Sequence, residues 1–331
     1  MAELAIVIPA FKEEYLSKAL ESLALQTNTQ FVVYIGDDCS PHDLKIISKK
    51  FEDKVDIKYT RFNENIGSQN IVFQWKRCVE LSKCEKWIWL FSDDDLVDLD
   101  AVENFYSVVN KNQDRFDVYR FNTSVIDKDG AITAVSPVGP DEESSEEMAY
   151  NLLLGRRGNT MPDHIFSREV YVKNNGFVVT EYAQAADWAT SILFSNEKGI
   201  CIIPKSILYW RMSGINISSI AKDKSKKMLL GHLQFIIWIM EHFNYLNSKN
   251  YLGEISYDVM RNAAIENLKR IILTHYQKLD NANVINLLRV LLFNLHMSYK
   301  DSVRFIYEIK RETPSRINII VKFLKTAKGY L

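Results

Sequence analysis

An α/β fold, with a mostly parallel central sheet covered by helices on both faces and an α-helical subdomain after it, is predicted by three features of this sequence. Strand and helix patterns alternate from Leu4 onward, the early strands are unbroken apolar runs, and beyond residue 221 only helical periodicity remains. Strands in the middle of a parallel sheet are buried on both faces, so they lose the in-out alternation of half-exposed ones. Their crossovers need helices of the length found here. With 331 residues, 47% of them hydrophobic, the chain can bury a large core and divide into two domains.

In chain order, Leu4 to Pro9 is the first strand, and Lys12 to Leu25 is a helix with Leu16, Ala19, Leu20, Leu23 and Ala24 on one face. Phe31 to Ile35 is the second strand, running out into Gly36-Asp37-Asp38-Cys39-Ser40-Pro41. A helix from Asp43 to Phe51, a strand from Ile57 to Phe62 and a helix from Ile66 to Leu81 follow, the last with Ile71, Val72, Trp75 and Val79 inward. Trp87 to Phe91 is the fourth strand. Val118 to Ser124 is a further strand, and Val125 to Val135 reads as a hairpin because Asp129-Gly130 supplies a left-handed turn. The acidic run Asp141 to Glu147 reads as a solvated face and helix start. Arg156 and Arg157, between Gly155 and Gly158, read as an exposed loop, with contact to an anionic ligand as the alternative. His164 reads as a packed histidine, since no other histidine stands at metal spacing to it.

The fourth strand ends in Ser92-Asp93-Asp94-Asp95, which places three carboxylates at the mouth of a buried element. Two unit charges about 4 Å apart repel by about 4 kcal/mol at an effective dielectric near 20, so the cluster needs protons, solvent or a cation. An all-oxygen set suits Mg²⁺ or Mn²⁺, which take one or two carboxylates together with substrate phosphates. The plainer alternative has these aspartates solvating a loop and capping a helix that starts near Asp98 or Asp100, with Glu103 closing a capping box.

Ligands of open α/β sheets bind outside the carboxyl ends of the strands. Here those ends carry Ala10-Phe11-Lys12-Glu13-Glu14, Asp37-Asp38 and Asp93-Asp94-Asp95, so all three should converge on one crevice. Carboxylates accept hydrogen bonds from a base N–H and from ribose hydroxyls. A nucleotide diphosphate, with the metal-bound aspartates facing its phosphates, is the expected ligand.

Four stretches in this order, Ile6-Val7-Ile8-Pro9-Ala10-Phe11-Lys12-Glu13, Tyr34-Ile35-Gly36-Asp37-Asp38-Cys39-Ser40, Asn65-Ile66-Gly67 and Leu90-Phe91-Ser92-Asp93-Asp94-Asp95, resemble the successive motifs of the family 2 glycosyltransferases. The resemblance implies a GT-A fold, a nucleotide-diphosphate sugar donor with a lean to UDP, a divalent metal, and inversion at the anomeric carbon. It is strong over residues 1 to about 125 and moderate over about 160 to 219. By motif match, Pro9, Ala10, Phe11, Glu13, Asn65 and Gly67 line the nucleotide, Asp38 contacts the base, and Asp93 the ribose or metal. Asp94 would bind the metal with Asp95 as a less central partner, since Ser92 stands where many members have an aspartate. Asn175-Gly176-Phe177 and Ala186-Asp187-Trp188 resemble the acceptor-side half, where the first acid of the usual pair is Ala186; Asp187 is left as the general base. Arg211, in Tyr209-Trp210-Arg211-Met212-Ser213, is the implied diphosphate ligand, and Ser213 replaces a histidine that binds metal in some members.

The implied organisation is a catalytic domain over 1–221, with a nucleotide-sugar half over 1–125 and an acceptor-side half over 126–221, then a basic helical subdomain over 222–331. A sugar nucleotidyltransferase would need a glycine-rich loop after the first strand, which Pro9-Ala10-Phe11-Lys12 is not. A non-catalytic nucleotide-sugar binding protein is the other alternative, raised by Ala186. The acceptor is expected to be a saccharide or a lipid-linked saccharide, as in the synthesis of surface polysaccharide or lipid-linked oligosaccharide, and no nucleic-acid partner is expected. Cys39, Cys78, Cys84 and Cys201 form no CxxC pair, Met1 to Pro9 is no signal peptide, and Phe235 to Met240 is too short to span a bilayer. A cytoplasmic location is therefore expected. Residues 222–331 hold 18 Lys/Arg against 9 Asp/Glu, while the rest of the chain carries a balance of −10. Met228 to Phe243 should pack on the catalytic domain, with further helices at about 255–279, 283–296, 300–312 and 315–328. Either this is a soluble prop for the acceptor side, or Arg316, Lys322, Lys325 and Lys328 with their apolar neighbours attach it peripherally to an anionic inner membrane face.

Overall fold

A computed structural model describes residues 2–214, 225–249, 253–276 and 279–312. The chain divides into two compact units, Met1–Ile220 and Ala221–Leu331. In the first unit β1 (Leu4–Ala10), α1 (Leu16–Ala24), β2 (Phe31–Asp37), α2 (Leu44–Lys49), β3 (Asp56–Arg61), α3 (Ile71–Val79) and β4 (Trp87–Leu90) realise the expected alternation. They are followed by β5 (Leu96–Val97), α4 (Ala101–Asn112), β6 (Val118–Ile126), β7 (Ile132–Val135), β8 (Glu142–Glu143) and α5 (Ser145–Leu153). The unit closes with β9 (His164–Ser167), α6 (Arg168–Lys173), α7 (Ala186–Phe194) and the long β10 (Ile200–Arg211).

The sheet runs β3-β2-β1-β4-β9-β6-β10-β5. Its first four strands are all parallel. Beyond β4 it becomes mixed, because β9 is antiparallel to both β4 and β6, while β6 and β10 are parallel. β2 and β3 lie on one side of β1 and β4 on the other, so the direction of winding reverses at β1. That reversal opens a crevice at the carboxyl ends of β1 and β4. All four residues of β4 are buried, as its unbroken apolar run requires. Trp87 packs edge-on against Phe105 and Tyr119 at 5.6 and 5.3 Å. The Trp89 indole N–H donates to the Pro162 carbonyl at 2.6 Å, which gives the polar end of that buried ring a partner.

Two helices begin later than their periodicity suggests. α1 starts at Leu16, not Lys12, because the Phe11 and Lys12 amides are drawn to Asp93. α3 starts at Ile71, where the Asn70 side chain accepts from the Val72 amide, and residues 66–69 are left to turn around Asp38. The capping box proposed for α4 does not form. Asp100 makes no cap hydrogen bond and accepts instead from Ser206 Oγ, while Glu103 accepts from Thr27 Oγ1. A capping box does form at α5 between Ser144 and Glu147. The acidic run before it is only partly solvated, since Glu143 is buried against Arg120 and Arg157 at 3.9 and 3.5 Å. The hairpin turns as expected, with Asp127 Oδ1 accepting from the Asp129 and Ala131 amides and Gly130 at φ +95°.

The second unit contains α8 (Ser225–Ser248), α9 (Tyr257–His275), α10 (Asn281–Arg289), continued as a π turn over Val290–Asn294, and α11 (Tyr299–Glu312). Leu229, Leu233, Ile236, Met240 and Phe243 of α8 are buried, and within this unit α8 packs on α9 and α10. No helix among the described residues is long and apolar enough to cross a membrane. The basic stretch from Arg316 to Lys328 and the helix expected over 315–328 lie outside the described residues.

Candidate functional site

The three strand ends meet as expected. The Asp93 Oδ2 atom accepts from the Phe11 and Lys12 amides, both at 2.9 Å, which clamps the end of β1 to the end of β4. The Ala10 carbonyl accepts from the Asp38 amide at 2.9 Å and the Phe11 carbonyl from Ser40 Oγ at 2.6 Å, which brings in the end of β2. Pro9 lies beside Gly36 in the same register. Glu13 is exposed at the rim, with its Oε1 3.0 Å from His42 Nδ1.

Asp38 is buried and organises the loop after β3. Its two oxygens accept from the Ile66 and Gly67 amides at 2.9 Å each, and Arg77 of α3 pairs with it while stacking 3.8 Å over the Phe62 ring. Burial raises the pKa of the Asp38 carboxyl, against the pull of those amides and of Arg77. A Cβ on Gly67 would collide with Asp38 Oδ2, so glycine is required there by close approach. Asn65 Oδ1 accepts from the Ser68 amide and completes the turn. Asp37 accepts from Ser40 N at 2.7 Å, Arg61 at 2.8 Å and the Tyr59 hydroxyl. Sequence reasoning singles out neither Arg61 nor Arg77. For Arg61 a signal exists, since it ends β3 directly opposite Asp37.

The acidic triplet divides its tasks. Asp93 holds the first loop, and the Lys12 ammonium lies 3.2 Å from its Oδ1 while also bonding Asp94 Oδ2. Burial alone would lower the lysine pKa, but Asp93 and Asp94 outweigh it and raise it above the ordinary range. Asp95 has no exposed surface; its Oδ1 accepts from the Arg211 amide at 2.8 Å, and burial, then Asp94, push its carboxyl well above the usual range. Arg211 is not placed as a surface ligand for a diphosphate. It is fully buried, donates to the carbonyls of Asp94 at 2.8 Å, Asp127 at 2.9 Å and Lys128 at 3.3 Å, and stacks 4.6 Å over Tyr15. Its planar fork therefore fixes the end of β10 to the aspartate loop and the hairpin. The pair Asp94 and Asp95 is not arranged as a ready divalent site: Asp95 Oδ1 is taken by the Arg211 amide while its Oδ2 is buried without a hydrogen-bond partner, Asp94 Oδ2 bonds an ammonium, and among the described residues no three His, Cys, Asp or Glu side chains converge on a metal position.

On the other half, Asp187 sits in the first turn of α7. The approach is left-handed at three non-glycine residues, Tyr182, Ala183 and Ala185, a local strain of the kind that functional sites retain. Asn70, at the end of the Asp38 loop, donates to the Thr180 carbonyl at 3.0 Å and so ties this approach to that loop. The Asp187 carboxyl is pushed up to about 7, first by burial and then by Asp163, and Asn159 Nδ2 approaches it at 3.5 Å. Asp163 is fully buried. Burial would raise it, but His164, Arg120 and Thr160 outweigh that and hold it below the usual range, so it stays ionised beside Asp187. His164 is packed, with Nδ1 3.0 Å from the Thr160 carbonyl. Sequence reasoning places Asp163 only within Pro162-Asp163-His164-Ile165-Phe166, a stretch resembling the family's acceptor-side half, with no role of its own, and does not identify Asn159.

Residues 5–146 match the family described as Glycosyl transferase family 2. That stretch, which carries the four strand-end motifs, is therefore similar to the family 2 glycosyltransferases. Among curated relatives, an uncharacterized glycosyltransferase of Haemophilus influenzae is 24% identical over 174 residues, 52% of this chain and 55% of that protein. Poly(ribitol-phosphate) beta-N-acetylglucosaminyltransferase TarS of Staphylococcus aureus is 22% identical over 334 residues, 98% of this chain and 50% of that protein. The chain thus spans about half the length of the curated relatives it matches. Among solved structures, S. aureus TarS 1–349 in complex with UDP-GlcNAc superposes with a TM-score of 0.69 at 14% identity, covering 93% of this chain and 90% of that one. GalNAc-T7 with UDP, GalNAc and Mn²⁺ gives 0.50 at 10% identity, over 83% of this chain and 58% of that one. At such identities the likeness speaks for the fold, which is GT-A. In this chain the Lys12 ammonium lies on the aspartates expected to hold a metal.

Proposed function

We propose that the chain transfers a sugar from a UDP-sugar, with UDP-GlcNAc as the leading candidate, to a hydroxyl of a saccharide-type acceptor, with inversion at the anomeric carbon. The observation that carries the reading is Asp187, a carboxyl at a helix start whose pKa of about 7 suits a proton acceptor near neutral pH. The neighbouring pair Asp163 and Asp187 has its pKa values driven apart by environment, the pattern by which acid–base roles are assigned. The donor side is supported by the convergence of three strand ends and by the TarS structure with UDP-GlcNAc. In this reading the Asp38 loop and the Asp93 clamp orient the nucleotide. Asp187 takes the proton of the attacking hydroxyl, and one displacement gives one inversion. A Mn²⁺ or Mg²⁺ ion at Asp94 would compete with the Lys12 ammonium that bonds its Oδ2.

The test is incubation of the full chain with UDP-GlcNAc and a panel of saccharide and lipid-linked saccharide acceptors, followed by NMR. The expected result is release of UDP with a β-linked product from the α-linked donor. An α-linked product would refute inversion, and absence of UDP binding by calorimetry would refute the donor assignment.

A further inference from the structure

Lys12 occupies an unusual position for a loop lysine. Its own amide and that of Phe11 are fixed to Asp93 Oδ2, so the base of the side chain is held in place before any ligand arrives. From there the ammonium reaches Asp93 Oδ1 at 3.2 Å and bonds Asp94 Oδ2, with side-chain exposures of 23% for Lys12 and only 7% and 5% for the two aspartates. Asp95, next in the chain, is fully buried, with its Oδ1 taken by the Arg211 amide and its Oδ2 without a hydrogen-bond partner.

We propose that Lys12 is the resident cation of this crevice, standing where a divalent ion would have to bind and supplying positive charge to the donor diphosphate. The inference rests on the nucleotide-sugar reading above. A divalent ion brought to Asp94 beside the ammonium would be repelled by it at close range, so divalent binding there is weakened while Lys12 stays in place. Lysine suits such a role, being a compact point charge on a flexible four-carbon stem that can follow a phosphate. A divalent ion is then a competitor of Lys12 rather than a condition for donor binding.

The experiment measures Mn²⁺ alone by electron paramagnetic resonance on the ligand-free full chain, in wild type, Lys12→Met and Lys12→Gln, with circular dichroism confirming that each is folded. Both variants should bind Mn²⁺ at least tenfold more tightly than wild type. In EDTA, calorimetry with UDP should show at least a tenfold loss of affinity in both variants and none on chelation in wild type, with added Mn²⁺ restoring the variants. Equal Mn²⁺ affinity in all three proteins overturns the proposal, as does UDP affinity in EDTA that is unchanged by either substitution. If wild type fails to bind UDP with or without Mn²⁺, the donor reading falls, and the Mn²⁺ comparison still decides whether Lys12 holds the cation position.

Discussion

Replacing Asp187 by asparagine should make the protein more stable and less active at once. The carboxyl titrates near 7 in the folded chain and near 3.9 when unfolded, and each pH unit is worth about 1.4 kcal/mol, so ionising it in place costs about 4 kcal/mol. The folded state holds the extra proton between the two values, so stability falls as pH rises from about 4 to about 7 and the full cost is felt above that. The amide of the Asp187→Asn variant has no charge to bury. Urea unfolding should therefore show the variant more stable by up to about 4 kcal/mol at pH 8, by only about 1.5 kcal/mol at pH 5, and by about 0.5 kcal/mol at pH 4. Transfer should drop by about 10²- to 10⁴-fold with donor affinity retained, the span of a lost general base. In wild type, kcat/KM should fall about tenfold per pH unit below 7. A stability gap that is the same at pH 5 and pH 8, or a variant less stable at pH 8, would refute the burial argument. Near-normal turnover would refute the assignment as base.

Gly67→Ala would force a Cβ onto Asp38 Oδ2, and UDP affinity by calorimetry should fall at least tenfold; unchanged affinity would separate that loop from the nucleotide. Arg211→Met removes donors from three carbonyls, that of Asp94 buried, and a charge from beside Asp94, so it should cost about 3–5 kcal/mol in urea unfolding. An intact fold with only a raised donor KM would return Arg211 to the diphosphate. Ser144→Ala opens the α5 capping box and should cost about 1 kcal/mol in the same assay, with UDP binding unchanged.

The sequence by itself was enough for the parallel half of the fold and for the place of the crevice. Burial on both faces leaves a direct trace in the composition of Trp87 to Leu90, and polar residues following an apolar strand must emerge at its carboxyl end, which is why Ala10, Asp38 and Asp93 could be brought together in advance. It did not show what each charge would face. Asp93 and Asp94 meet Lys12 across more than eighty residues, Asp95 meets the Arg211 amide across more than a hundred, and Asp163 tunes Asp187 from another element. A carboxylate that binds a metal, one that accepts a backbone N–H and one that pairs with an ammonium are the same letter in the chain. The distinction arises only when folding removes water and leaves each buried charge the partner nearest to it. Arg211 makes the point most plainly, since the family resemblance implies a diphosphate ligand there, whereas packing buries its guanidinium against three carbonyls.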